Sequence, residues 1–100
     1  MSTEHCASGN WLVKPGSEDA FIDRWREWLS TSSSGVEGFV SARLLRSPEE
    51  PRRFVSISEW SDAGARDVWK ERAGFIEGFT ACRDLCEEFQ GGDFNRVVDV

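Results

Sequence analysis

Residues 38–60, GFVSARLLRSPEEPRRFVSISEW, are the stretch that decides the fold. Its two ends, 38–47 and 54–60, are rich in aromatic and β-branched residues, which is typical of strands. Pro48 and Pro51 lie in the polar segment between these ends and exclude continuous strand pairing there. Two strands joined by a short polar loop predict a β-hairpin.

A strand and a helix are predicted on the N-terminal side of this hairpin. Residues 8–14 are short and β-prone, and they stop at Pro15-Gly16. Ser17 is placed as a helix N-cap, and the acidic residues that follow it suit the first turn of a helix. One helical face then carries the apolar residues Phe21, Trp25, Trp28 and Leu29. The Ser/Thr-rich run 30–34 is predicted to end this helix in a loop.

A second helical region and a last strand are predicted on the C-terminal side. The helix starts at Ser61-Asp62, takes Val68 and Trp69 as its apolar residues, and is interrupted at Gly74. Steps of four and three then define an apolar helical stripe that ends before Gly91-Gly92 and comprises Phe75, Phe79, Cys82, Cys86 and Phe89. Residues 94–100 are predicted to form the final short strand.

The resulting order is β-α-β-β-α-β, which is the ferredoxin-like order of the α+β class. A chain with this order forms a four-stranded antiparallel sheet with its helices on one face. One hundred residues leave room for one domain, so we expect a single domain over residues 1–100, with residues 1–7 flexible.

Neither face of the predicted hairpin is cleanly polar. By strand alternation, one face carries the large apolar residues Phe39, Leu45, Phe54 and Trp60. Such a patch would be unusually large on the surface of a monomer. A second copy of the sheet packed against it would form an isologous homodimer. The alternative is that loops cover some of these side chains.

The charge balance argues against nucleic-acid and membrane partners. Asp and Glu number 18 against 12 Lys and Arg, which gives a net charge of −6. A chain this acidic repels phosphate backbones, and it has no basic amphipathic stretch for an anionic membrane. The first residues show no signal-peptide pattern and no apolar run is long enough to span a bilayer, so the expected location is the cytoplasm.

Three cysteines argue against a disulfide framework because the number is odd. Cys82 and Cys86 are four residues apart and would share a helix face, whereas Cys6 stands alone. A zinc site needs four ligands, and the chain adds only His5 to these thiols. We therefore expect buried thiols that pack as small apolar groups.

Three segments resemble the antibiotic biosynthesis monooxygenase (ABM) family of dimeric α+β barrels. They are Asn10-Trp-Leu-Val-Lys-Pro-Gly16, Arg53-Phe-Val-Ser-Ile-Ser-Glu-Trp60, and Trp69 with Phe75 six residues later. The resemblance extends over roughly residues 8–100. One branch of the family oxidises aromatic polyketide intermediates such as anthrones to quinones with molecular oxygen and without a metal or organic cofactor. Another branch binds and degrades haem. In both branches the reaction takes place in a pocket between the helices and the sheet.

The resemblance implies two catalytic residues. Asn10 matches an asparagine of the family's first strand, and Trp69 matches a tryptophan of the second helical region. Asn10 would donate through its amide, and Trp69 through its indole N–H while it stacks on a planar ring. Phe79 stands at the position of the family's haem-ligating histidine, and phenylalanine cannot bind iron. Haem degradation is therefore disfavoured, and no cofactor and no metal site are expected.

Five further residues are candidates for substrate binding. Phe75 and Phe79 lie one helical turn apart and would form a pocket wall, although such spacing also suits a core. Ser56 and Ser58 would point hydroxyl groups into the pocket, although serines are common in strands. Arg83 would pair with an anionic substrate, although it also suits a solvated helix face.

The absent residue types leave the catalytic assignment open. The chain has no Tyr and only one His, so the pocket lacks a base suited to neutral pH. A substrate must then ionise with little help, or a carboxylate such as Glu59 must accept the proton. We therefore predict a homodimeric oxygenase that uses a flat aromatic substrate and molecular oxygen. The alternative is a non-catalytic dimeric domain that binds a small ligand or serves as a scaffold.

Overall fold

The computed structural model describes residues 5–100, which form four strands and three helices. These are β1 (His5–Val13), α1 (Glu18–Ser32), β2 (Phe39–Arg46), β3 (Arg53–Trp60), α2 (Ala63–Glu71), α3 (Ala73–Asp84) and β4 (Cys86–Asn95). The strands form one antiparallel sheet in the order β2-β3-β1-β4, and the helices cover one of its faces. The predicted α+β, ferredoxin-like class is confirmed. No helix within residues 5–100 is long and apolar enough to cross a membrane.

Strand β3 alternates strictly between the two faces of the sheet. Phe54, Ser56, Ser58 and Trp60 are buried towards the helices, and the residues between them are half-buried on the opposite face. This corrects the predicted apolar patch, because Phe54 and Trp60 belong to the core of one chain. A β-bulge follows Phe39 at the start of β2, and the ring of Phe39 packs on Trp60.

Only Leu45 of the four predicted patch residues lies on the outer face. Leu45 pairs with Val55 across β2 and β3, and half of its side chain is exposed. The bulge explains why Phe39 and Leu45 of the same strand lie on opposite faces of the sheet. One extra residue in a strand reverses the face on which the residues beyond it lie. Alternation counted without the bulge therefore places Phe39 on the wrong face.

Strand β4 is the largest departure from the predicted elements. The apolar stripe was expected to continue as a helix to Phe89, but α3 ends at Asp84 and β4 starts at Cys86. Strand β4 pairs with β1 along nearly its whole length, from Val13 with Cys86 to His5 with Asn95. This pairing supplies β1 with a second hydrogen-bonded neighbour, and tertiary pairing of this kind overrides local helical spacing.

The break between α2 and α3 lies two residues before the predicted position. Arg72 is extended, with φ −72° and ψ 144°, and it caps both helices in place of Gly74. Helix α2 begins as predicted, because the Asp62 side chain accepts a hydrogen bond of 2.8 Å from the backbone N–H of Ala65. Val68, predicted as an apolar contact of this helix, is exposed instead.

The N-terminal segment is ordered earlier than predicted. Residues 5–7 were expected to be flexible, but they are the first residues of β1 and pair with both β3 and β4. His5 lies opposite Trp60 on one side and Asn95 on the other. The rest of that expectation concerns residues 1–4, which lie outside the described part of the chain.

The thiols of Cys82 and Cys86 are buried at the junction of α3 and β4, as the prediction of apolar packing required. They do not share a helix face, because Cys86 already belongs to β4, from which its thiol contacts the carbonyl oxygen of Cys82. Burial raises the pKa of Cys82 to about 12 and that of Cys86 to about 11. Both thiols are therefore protonated at neutral pH and unreactive.

Helices α1 and α3 approach each other closely at Gly78. A Cβ atom built on Gly78 would overlap the Trp28 ring, with Cγ at 2.6 Å, whereas one on Gly74 meets nothing nearer than 3.9 Å. Gly78 thus supplies the space in which the Trp28 indole packs against α3.

We expect Gly78→Ala to lower the free energy of unfolding by about 1–3 kcal/mol, because overpacking outweighs the better helix propensity of alanine. Gly74→Ala on the same helix is the matched control and should be neutral or stabilising. Urea denaturation of the two variants measures the difference. Equal stability of the two variants would contradict the close packing at Trp28.

Candidate active site

A cavity of about 370 Å³ lies between the helices and the sheet. Its walls are mainly aromatic side chains from three helices and two strands, namely Trp11, Trp25, Trp28, Trp69, Phe75, Phe79 and Phe89. Several of these rings contact one another directly; Phe75 and Phe79 are parallel at 6.0 Å, and Trp28 stacks on Trp69 at 5.8 Å. Flat apolar walls of this kind suit a planar aromatic ligand.

Two serines of β3 supply hydroxyl groups to this cavity. Ser56 accepts a hydrogen bond of 3.0 Å from the indole N–H of Trp11, and Ser58 accepts one of 2.9 Å from Trp60. Within residues 5–100, neither hydroxyl donates a hydrogen bond to another group. Because an accepted hydrogen bond polarises a hydroxyl, each O–H is a strengthened donor for a ligand oxygen.

Two glycines opposite each other in the sheet make room for the aromatic walls. Gly9 of β1 pairs with Gly91 of β4, and both line the cavity. A Cβ atom on Gly9 would lie 2.6 Å from the indole nitrogen of Trp11, and one on Gly91 would lie 2.8 Å from the Phe89 ring. The rings of Trp11 and Phe89 thus pack directly on the glycine backbone, with their centroids 4.3 Å apart.

Trp69 forms part of the wall, but its indole N–H is already engaged. It donates a hydrogen bond of 2.9 Å to the hydroxyl of Ser32, the last residue of α1. Ser32 in turn donates to the carbonyl oxygen of Trp28, so the chain of bonds fixes the orientation of the Trp69 ring. In this geometry Trp69 offers a flat apolar surface, and its N–H is not free to donate to a ligand.

Two other buried indoles of the wall have no hydrogen-bond partner. The Nε1 atoms of Trp25 and Trp28, both on α1, lack an acceptor among the described residues. Buried indole N–H groups ordinarily find an acceptor, since leaving one unpaired costs about 1–3 kcal/mol. A ligand that carries oxygen atoms is one source of such an acceptor.

A charged pair lies at the wall near α2 and β4. Lys70 forms an ion pair with Asp93, and these are the charged residues of the cavity lining. Arg66 also approaches Asp93, with 3.8 Å between its Nε and the carboxylate. The Lys70 and Asp93 side chains are 34% and 40% exposed, and because both also line the cavity, the pair lies at its solvent-exposed edge.

The structure brings together five of the seven residues that the sequence nominated. Trp69, Phe75, Phe79, Ser56 and Ser58 all line the same cavity. Asn10 does not, because it lies on the outer face of the sheet, exposed, where its side-chain oxygen accepts a hydrogen bond of 2.8 Å from Arg53. Arg83 does not either, because it donates to the carbonyl oxygen of Cys86 at the end of α3.

Glu59, considered as a proton acceptor, also lies away from the cavity. It faces outward from β3 and forms an ion pair of 3.1 Å with Arg96. The sequence did not nominate Ser32, which orients Trp69, or six residues of the lining, namely Trp11, Trp25, Trp28, Phe89, Lys70 and Asp93. Lys70 directly follows Trp69 in the sequence, which is a signal for it, whereas Ser32 lies in the run 30–34, for which the sequence predicts a loop.

We expect Ser32→Ala to lower the free energy of unfolding by about 1–3 kcal/mol, because the buried Trp69 N–H loses its acceptor. Ser34→Ala, at an exposed position of the same serine run, is the control and should leave stability unchanged. Thermal unfolding followed by near-ultraviolet circular dichroism measures both the stability and the Trp69 environment. Wild-type stability in Ser32→Ala would contradict the assigned bond.

The fold has well-matched relatives among solved structures. A mutant of SnoaB, a cofactor-independent oxygenase from Streptomyces nogalater, has a TM-score of 0.89 at 23% identity, with 99% of this chain and 98% of that chain covered. Protein SO0527 from Shewanella oneidensis has a TM-score of 0.82 at 20% identity, with 98% and 96% covered. At these identities the likeness shows a shared fold. No curated protein matches the sequence.

The family model described as "Antibiotic biosynthesis monooxygenase" matches residues 6–81. This match covers the first three strands, helices α1 and α2, and α3 as far as Ala81. It includes most of the residues that line the cavity. It confirms the resemblance found in the sequence: the chain belongs to the antibiotic biosynthesis monooxygenase family.

Proposed function

We propose that this protein is a cofactor-independent oxygenase that acts on a flat aromatic substrate of the anthrone type with molecular oxygen. The observation that carries the proposal is the aromatic cavity with two serine hydroxyls on its sheet side. Membership of the family and the likeness to SnoaB support the same reaction class.

The cavity supplies two of the conditions that such a reaction requires. Aromatic walls hold a planar substrate by stacking and exclude water from the reacting carbon. The hydroxyls of Ser56 and Ser58, two residues apart on one strand and therefore about 7 Å apart along it, donate to substrate oxygen. A donor that is already polarised by an indole stabilises the negative charge of an enolate without rearrangement.

The reaction balances without a further oxidant. The substrate loses a proton from its reactive CH₂ group to a water molecule and forms an enolate, whose electron pair forms a carbon–oxygen bond with O₂. The resulting peroxide takes up the proton, and loss of water leaves a carbonyl group at that carbon. One CH₂ group and one O₂ thus become one C=O group and one water, and the serine hydroxyls hold the enolate oxygen during the first step.

We expect oxygen uptake in the presence of a panel of anthrones, with one O₂ consumed per quinone formed. Ser56→Ala and Ser58→Ala should each lower kcat by roughly 100-fold, the typical cost of losing one donor to a developing oxyanion. Ser41→Ala, a strand serine paired with the outward-facing Glu59, is the control. Circular dichroism of each variant establishes that it is folded.

Absence of oxygen uptake with every anthrone, while these compounds bind, would overturn the oxygenase proposal. It would favour the second candidate, a non-catalytic domain that binds a flat ligand. The engagement of the Trp69 N–H by Ser32 favours that candidate, because it removes a donor that a catalytic role would use. If the protein consumes oxygen but Ser56→Ala and Ser58→Ala both turn over at the wild-type rate, the two serines are not the donors.

We also propose that the protein is a homodimer that buries the outer face of the sheet. Of the four patch residues that the sequence nominated, Leu45 alone lies on this face, and other apolar residues join it there. Leu45 of β2 and Phe94 of β4 are 50% and 59% exposed on this face, and Val55 and Ile57 of β3 are half-buried on it. Large apolar side chains that are exposed on the open face of a sheet are typical of a subunit interface.

We expect sedimentation velocity to show a dimer for the wild type and a monomer for Leu45→Asp, because a charge would be buried in the interface. Ile76→Asp is the matched control, since Ile76 is similarly exposed at 57% but lies on α3 in the helical layer. A monomeric wild type, or a dimer unaffected by Leu45→Asp, would contradict this interface.

A further inference from the structure

We propose that the substrate carries an acidic oxygen group, a phenolate or a carboxylate, and that Lys70 selects it at the opening of the cavity. The inference rests on the proposed function, because it assigns a substrate class to the same site. Its basis is the position of a lysine in a lining that is otherwise apolar, small or hydroxylic, apart from Asp93.

Lys70 is well placed to contact a bound ligand. It follows Trp69 on α2, so the residue that forms the flat wall and the residue that carries the charge are neighbours. Its side chain is 34% exposed and reaches the rim, where an ion pair is less screened than on the open surface. Lys14, the only other lysine, lies far from the cavity and donates to the carbonyl oxygen of Asp84.

Lys70 already donates a hydrogen bond to Asp93, but an ammonium group has two further N–H donors for an anion. Asp93, its partner, is shared with Arg66, so two cations face one carboxylate. Asp67 lies 4.0 Å from Arg66, but its side chain is two-thirds exposed and is not part of the lining. A second anionic oxygen at the rim would therefore meet a lysine that Asp93 does not fully neutralise.

An anionic group at this position would also make the substrate easier to oxidise by O₂, although it does not itself remove the CH₂ proton. The lining contains no histidine and no tyrosine, so it offers no group suited to removing a proton at neutral pH. A lysine beside a substrate phenol favours the ionised form of that phenol, and the ionised ring is more electron-rich. The serine hydroxyls at the sheet and Lys70 at the rim would then hold two oxygen atoms at different ends of one flat molecule.

The test compares two flat three-ring probes that differ in charge, 9-anthracenecarboxylate and 9-anthracenemethanol. Their dissociation constants are measured by fluorescence anisotropy with the full chain and with Lys70→Met, Asp93→Asn and the matched control Lys14→Met. We expect Lys70→Met to weaken carboxylate binding about tenfold, the value of one charge-assisted hydrogen bond, and to leave the alcohol unchanged.

Asp93→Asn should act in the opposite direction and strengthen carboxylate binding by roughly threefold, because Lys70 loses its competing partner. A purely structural ion pair predicts instead that both variants weaken both probes. That outcome, or equal binding of the two probes to the wild type, would overturn the assignment of Lys70. Lys70→Arg retains the charge and should preserve carboxylate binding, which keeps the test decisive if Lys70→Met fails to fold.

The two proposals fail in different ways. If neither probe binds, the selection of acidic substrates is overturned, while oxygen uptake with anthrones still decides the oxygenase proposal. If the carboxylate binds through Lys70 but no substrate consumes oxygen, the acidic-ligand site stands and the catalytic proposal falls.

Discussion

The structure depends on how five tryptophans are buried in a chain of 100 residues. Each indole contributes a large apolar surface, but each also brings an N–H group that needs an acceptor away from water. Serine hydroxyls meet this need for three of them, in the pairs Trp11–Ser56, Trp60–Ser58 and Trp69–Ser32. Two of those serines, Ser56 and Ser58, also line the cavity. The hydrogen bonds that satisfy the core indoles therefore also polarise the hydroxyl donors of the cavity.

The sequence was sufficient for the elements whose signals are local. The hairpin followed from two prolines between β-prone segments, and α1 followed from its apolar spacing and acidic first turn. Strand β4 was not predictable in this way, because Cys82, Cys86 and Phe89 fit helical spacing and only pairing with β1 makes the last two a strand. The bulge after Phe39 was equally invisible, since nothing in the local residue types marks it.

The same distinction explains the candidate site. Phe75, Phe79 and Trp69 were found because they repeat at helical spacing or match the family, and Ser56 and Ser58 because strand alternation places them together. Asn10 was placed by resemblance alone, and one step of alternation in β1 turns it to the outer face, away from Gly9 and Trp11. Lys70 and Asp93 are joined by packing of α2 against the sheet, which no spacing in the sequence reveals.

The division of charge in this site has a chemical consequence. Its interior contains hydroxyl and indole groups, which donate hydrogen bonds but do not take up protons, and its ionisable groups lie at the rim. A site built in this way stabilises an anion better than it creates one. In the proposed oxygenation, the acidity needed to start the reaction would therefore come from the substrate, and Lys70 is the cation of the lining that would favour an ionised substrate.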